Sequence, residues 1–172
     1  FTNHVGQVML EELRSGADSW IQYRQYDEVF AAVILRAMPS AVQGYVESQP
    51  DLGGLTVILK SNTGKVLVTD YYPATTATAT TPGGVLGYVQ AQKVKRGRNG
   101  APILLSETTY FKRSNTDDNP AASPVTIFPV AQSTVFTDET DGGTHPVTTS
   151  YAYLWHFATV QVLQQAKTLP VI

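Results

Sequence analysis

What most restricts the fold is the rhythm of the chain, in which short runs rich in Val, Ile, Thr, Tyr and Trp are broken repeatedly by clusters of Gly, Asn, Asp, Ser and Pro. Branched and aromatic side chains suit a pleated surface, and glycine or asparagine tolerates the backbone angles of a tight turn, so the pattern is that of antiparallel hairpins. The one stretch with room for a helical turn, Gly6-Gln7-Val8-Met9-Leu10-Glu11-Glu12-Leu13, stops too close to Gly16 for a long helix and reads better as a strand. The expected fold is all-β: stacked antiparallel hairpins in an open spiralling sheet or a β-solenoid-like shell segment.

Taken in order, Ser15-Gly16-Ala17-Asp18 reads as a turn ahead of a hairpin made by residues 20–27 and 29–35. Leu52-Gly53-Gly54 punctuates the chain. Residues 55–60 and 65–72 then read as the clearest hairpin, closed by Ser61-Asn62-Thr63-Gly64 with Gly64 at positive φ. The Ala/Thr-rich segment 73–84 ends in Pro82-Gly83-Gly84 and fits either an extended strand or an exposed loop. A second hairpin joins 85–95 to 103–112 through Arg96-Gly97-Arg98-Asn99-Gly100, a polar loop spans 114–124, and a third hairpin pairs 125–136 with 147–157 across 138–146. Residues 159–163 start one more strand, and the two ends, 1–10 and 159–172, are expected to be strands whose edges contact another polypeptide.

The chain has 172 residues, 42% of them hydrophobic, enough for one core or a short stretch of a repetitive one, so 1–172 is read as a single segment of a longer chain or assembly. Only 15% of residues are charged and the net charge is -2, which leaves no electrostatic footprint for nucleic acid. There is no cysteine, hence neither a disulfide framework nor a thiolate metal site. No apolar run approaches the roughly 20 residues of a membrane helix. The start, Phe1-Thr2-Asn3-His4, has neither methionine nor the parts of a signal peptide, so the chain is expected to be a processed product or a piece of something longer.

The hairpins share a rough period: Tyr26, Tyr72, Tyr110 and Tyr153 recur near strand ends. Because one twisted hairpin cannot bury its own apolar face, such a repeat implies hairpins stacked on their neighbours, with the aromatic rings bridging them. Tyr23-Arg24-Gln25-Tyr26-Asp27 followed by Val33-Ile34-Leu35 resembles the Tyr-x-x-Tyr-Asp strand, turn and return strand of the Rhs or YD-repeat family, although Phe30-Ala31 stands where the family has Gly-Arg. Asp70-Tyr71-Tyr72, Gly83-Gly84-Val85-Leu86-Gly87-Tyr88-Val89 and Thr149-Ser150-Tyr151-Ala152-Tyr153-Leu154-Trp155 are similar to long Rhs-like proteins of planctomycete type. The resemblance implies a spiralling wall of hairpins, enclosing cargo or displayed at the cell surface, and therefore a secreted or cell-surface location. It makes Tyr23, Tyr26, Asp27, Tyr72, Tyr110, Tyr151 and Tyr153 structural repeat residues rather than a catalytic set. The partners it implies are further copies of the chain, or the rest of a longer one, meeting at exposed strand edges.

No catalytic constellation emerges from the sequence. His4, His145 and His156 lack a second ligand at metal-binding spacing, and Asp138, Glu139 and Asp141 beside His145 read as a solvated acidic turn because the calcium-loop pattern is missing. Asp27 with Glu28, and Asp117 with Asp118, are adjacent pairs; on an extended backbone they point to opposite faces and could not flank one glycosidic bond. Arg96-Gly97-Arg98-Asn99-Gly100 lacks the lysine and hydroxyl of a phosphate loop and reads as a basic turn. No catalytic residue, metal site or cofactor is therefore expected. Trp20, Trp155 and the tyrosines could stack on sugars, which makes an adhesin-type glycan-binding module the alternative, with Tyr71-Tyr72 the pair to watch for exposure; packing between hairpins is the plainer use of such rings.

Overall fold

The computed structural model describes residues 1–47, 55–138 and 144–170. Thirteen strands account for most of them: β1 (Leu10–Ser15), β2 (Asp18–Tyr26), β3 (Val33–Ala37), β4 (Val42–Glu47), β5 (Leu55–Leu59), β6 (Lys65–Tyr71), β7 (Val89–Arg96), β8 (Ile103–Tyr110), β9 (Arg113–Ser114), β10 (Thr126–Ile127), β11 (Val130–Asp138), β12 (Thr144–Trp155) and β13 (Val162–Thr168). The fold is all-β, as the turn rhythm predicts. Nine strands form one open antiparallel sheet in the order β1-β2-β3-β6-β7-β8-β11-β12-β13, while β4-β5 and β9-β10 make two small ladders. The chain divides into two compact units, Phe1–Thr69 with Gln92–Ile103, and Asp70–Ala91 with Leu104–Ile172.

In the first unit, the turn at 15–18 forms where expected: Ser15 pairs with Asp18 and Gly16 takes φ of 61°. The β2-β3 hairpin also forms, with Tyr23 opposite Ala37 and Gln25 opposite Leu35. Its bend is made by Asp27, whose Oδ1 accepts from the backbone N–H groups of Val29 and Phe30 at 2.8 Å, and by Ala31 at φ 53°. Asp27 thus supplies the local hydrogen bonding that holds Ala31 in a left-handed position without a glycine.

The hairpin expected between 55–60 and 65–72 does not form. After β3 a 3-10 turn at Pro39–Ala41 lifts the chain into a second layer, where β4 and β5 pair with each other, Tyr45 opposite Val57. The turn at 61–64 then returns the chain to the main sheet, and β6 lies against β3 with Leu35 opposite Val68. Gly64 does take positive φ, 85°, but at a crossing between layers. Local turn chemistry is identical in the two topologies; what decides is burial. Ala37, Ala41, Val42 and Val66 form a buried cluster, and Val57 and Leu59 of β5 pack onto it together with Ile21, Tyr23, Leu35 and Val68. A β5 coplanar with β6 would leave that cluster uncovered, and burying one Val or Leu side chain is worth about 1.5–3 kcal/mol.

The amino-terminal expectation is corrected too. Residues 1–9 fold as a turn with an isolated Thr2–Val8 bridge, and the first strand begins only at Leu10. Asn3 explains this, since its Oδ1 accepts from the N–H groups of Val5 and Gln7 and closes the segment on itself.

In the second unit, Ala77, Val85 and Tyr110 are buried with Tyr72, Phe128 and Val130 against them. The Ala/Thr segment is a loop. Its threonines supply the bonds a strand partner would have given: Thr76 Oγ1 accepts from Gly84 N–H and Thr75 Oγ1 from Leu86 N–H. The third hairpin forms between β11 and β12, Phe136 opposite Pro146, and its turn at 139–143 lies outside the described residues.

Candidate functional site

The four periodic tyrosines do the same thing at four places. Tyr26 donates its hydroxyl to the Val8 carbonyl at 2.9 Å, Tyr72 to Thr108 at 2.9 Å, Tyr110 to Val89 at 3.0 Å and Tyr153 to Val130 at 2.8 Å. In each case a ring near a strand end reaches across to a carbonyl on another segment, so burial of the ring and satisfaction of a backbone acceptor come from one side chain. Burial pushes the phenols of Tyr72, Tyr110 and Tyr153 above their ordinary range, which keeps them protonated donors. The rings also meet one another: Tyr110 lies edge-on to Tyr72 at 6.3 Å and to Tyr88 at 5.2 Å, and Tyr88 continues to Phe128. Tyr71 and Tyr72 are partly covered rather than open, Tyr72 by Gly84. Tyr23 is half-buried on the first unit's core, and Tyr151 is partly covered on β12 opposite Lys167.

The second unit also holds a cluster that the tyrosine period did not reveal. Arg113 is 9% exposed; its Nε donates to the Thr159 carbonyl at 3.1 Å, its two terminal nitrogens reach the Asp118 carboxylate, and its guanidinium lies 5.6 Å from the centre of the Trp155 ring. Asp118 Oδ2 accepts in addition from the Ala158 N–H at 3.0 Å. The Arg113 hydrogen bonds, then that backbone bond, hold the Asp118 carboxyl below the usual carboxylate range. Neighbouring Asp117 has a different task, closing a capping box with Ser114 over the 3-10 turn Asn115–Asp117. The Ser114-x-x-Asp117 spacing is the sequence signal that would have located this turn.

Around Arg113 lies an open cleft of about 400 Å³ lined by Thr80, Phe111, Lys112, Arg113, Tyr153 and Trp155. Tyr153 stacks beside Trp155 at 5.4 Å and the Arg113 guanidinium covers the indole. These internal contacts take up ring surface that a sugar would use, so the cleft is first a packing feature. Trp20, 44% exposed, sits opposite the exposed Leu13 in the β1-β2 ladder.

Among the described residues, no group of three His, Asp or Glu side chains is placed to hold a metal ion. His145 Nδ1 approaches Asp138 Oδ2 at 3.4 Å, and Glu139 and Asp141 lie outside the described residues. Asp27 and Glu28 do not face each other across a cleft; the Asp27 carboxylate is committed to its own turn.

The two outer strands of the large sheet differ. Along β1, the Leu10 N–H and carbonyl bond to Phe1, and Glu12 and Arg14 form an ion pair at 2.8 Å. Charges and a local cap are two of the means by which proteins blunt a sheet edge. On β13, Val162-Leu163-Gln164-Gln165-Ala166-Lys167-Thr168, all seven residues are exposed, Lys167 is the one charge, and among the described residues no strand pairs beyond it. Leu154 on β12, 58% exposed, and Leu163, 60% exposed, extend the open apolar surface.

No helix among the described residues is long and apolar enough to cross a membrane. No family model, curated protein or solved structure matches the chain.

Proposed function

We propose that the chain is a non-enzymatic structural module, a stretch of wall or surface fibre in a large Rhs-like extracellular or envelope protein, whose sheet continues from β13 into further β-strands. The observation that carries this reading is β13 itself: seven residues exposed on both faces and a strand edge with no partner among the described residues. An open edge with a single charge is a template for another strand, and each backbone pair added there satisfies two groups that otherwise face water. The tyrosine bonds from Tyr26, Tyr72, Tyr110 and Tyr153 support the same reading, because they commit each hydroxyl to a backbone carbonyl and fix strand ends in a way that serves rigidity. The carboxylates point the same way, since Glu12, Asp27, Asp117 and Asp118 are all engaged in ion pairs or turn caps.

Sedimentation velocity over a concentration series tests it. The chain should self-associate, and Gln164→Lys, which places like charges along the open edge, should return it to monomer. A chain that stays monomeric at every concentration, or a variant that associates as strongly as the parent, would overturn the proposal.

A further inference from the structure

Half of the chain's 12 Lys and Arg residues, Lys60, Lys65, Lys93, Lys95, Arg96 and Arg98, fall between positions 60 and 98, and only one of its 14 acids, Asp70, falls there with them. In a chain of net charge -2 this is a strong local excess. The first unit gathers most of it at one place by locking two turns together: Gly97 N–H donates to the Gly64 carbonyl at 2.8 Å, Arg98 N–H to Lys60 at 2.9 Å and Asn99 N–H to Ser61 at 2.8 Å. The lock is tight. A side chain at Gly97 would come within 2.6 Å of the Lys60 carbonyl, and one at Gly64 within 2.2 Å of the Ser40 carbonyl. Lys65, Arg96 and Arg98 are exposed, and among the described residues no carboxylate pairs with Lys60, Lys65, Lys95, Arg96 or Arg98.

We infer that these paired turns, 60–65 and 96–100, are a binding platform for an acidic polysaccharide, a chain of sugars bearing carboxylate or sulfate groups. The cations supply charge complementarity on a backbone that needs little ordering when it binds, and the exposed Ser61, Asn62, Thr63 and Asn99 between them offer hydrogen bonds to sugar hydroxyls. Neither turn contains an aromatic ring to stack on a nucleobase, nor an apolar side chain to enter a bilayer, which separates this surface from a single-strand nucleic-acid groove and from a membrane anchor. The inference goes beyond the wall reading and does not rest on it.

The test is binding of the whole chain to immobilised heparin and to polygalacturonate, with neutral dextran, a DNA duplex and phosphatidylglycerol vesicles as comparisons. Binding to at least one acidic polysaccharide should exceed binding to all three comparisons and weaken about tenfold between about 50 and about 200 mM salt. The double variant Lys65→Gln/Arg98→Gln should lose about tenfold in affinity with an unchanged circular dichroism spectrum, while Lys112→Gln/Lys167→Gln, which removes two exposed cations elsewhere, should bind as the parent does. Failure to bind either polysaccharide, equal losses in the two double variants, or tighter binding to duplex or vesicles would overturn the inference. Sedimentation of the parent chain reports on the wall reading separately.

Discussion

Gly64 and Gly16 both sit at positive φ, 85° and 61°, so alanine at either position must adopt a backbone conformation that costs an L-residue about 1–2 kcal/mol. They differ in surroundings. A Cβ at Gly16 meets nothing within 4 Å, whereas one at Gly64 would lie 2.2 Å from the Ser40 carbonyl oxygen and 2.3 Å from both Ala41 N and Cα. All three are backbone atoms of the turn that lifts the chain into the second layer, so no side-chain rotation relieves the overlap. Room can be made only by separating the two segments, which strains the Gly97 N–H to Gly64 bond and the Lys60 N–H to Ala41 bond, both 2.8 Å. Losing one such bond costs about 1 kcal/mol, and overpacking adds about 1–3 kcal/mol. Gly16→Ala should therefore destabilise by about 1 kcal/mol and Gly64→Ala by about 3 kcal/mol or more, corresponding to melting shifts of about 2–4 °C and about 6–12 °C. Thermal melts of the two variants beside the parent make the comparison. A simple two-stranded hairpin at 61–64 would give two equal shifts, and equal shifts would refute the layer crossing as the source of the difference.

Tyr110→Phe keeps the ring contacts with Tyr72 and Tyr88 and removes only the hydroxyl that reaches Val89, so it should cost about 1 kcal/mol in urea denaturation; no change would show that water replaces the bond at no cost. Glu12, with its carboxyl lowered to about 2 by hydrogen bonds from Arg14, Ser19 and Tyr45, contributes stability that is complete above its ordinary value of 4.5 and is lost as pH falls from there toward 2. Glu12→Gln should therefore flatten the fall in melting temperature across that window relative to the parent, and parallel curves would remove Glu12 as a source of acid sensitivity.

The alternation of apolar and polar residues, the turn clusters and the recurrent tyrosines were sufficient to show an all-β chain and to place the 15–18 turn and the β2-β3, β7-β8 and β11-β12 hairpins, because each depends on residues close in sequence. Strand partnership beyond the nearest turn was not legible. Gly64 needs positive φ in either topology, and only the burial of Val66 against Ala37 and Ala41, much earlier in the chain, beneath Val57 and Leu59 selects the crossing. The Arg113, Asp118 and Trp155 cluster was hidden for a related reason: its members lie up to 42 positions apart, and no pattern in the sequence links them. The locked basic turns were half visible, since 96–100 reads as basic from composition, but nothing in the sequence says that 60–65 will lie against it.

The excursion of β4 and β5 out of the main sheet also bears on how the chain reaches its native state. Strands β3 and β6 are neighbours, yet pairing Ala37 with Val66 directly from the unfolded chain closes a loop of roughly 30 residues, at an entropic cost of about 3 kcal/mol. If the local β4-β5 hairpin forms first, it draws Val42 and Leu59 together and leaves only short connections to close on either side. The second layer then acts in time as well as in space, as a clasp that brings β3 and β6 within reach before the nine-stranded sheet can zip past them.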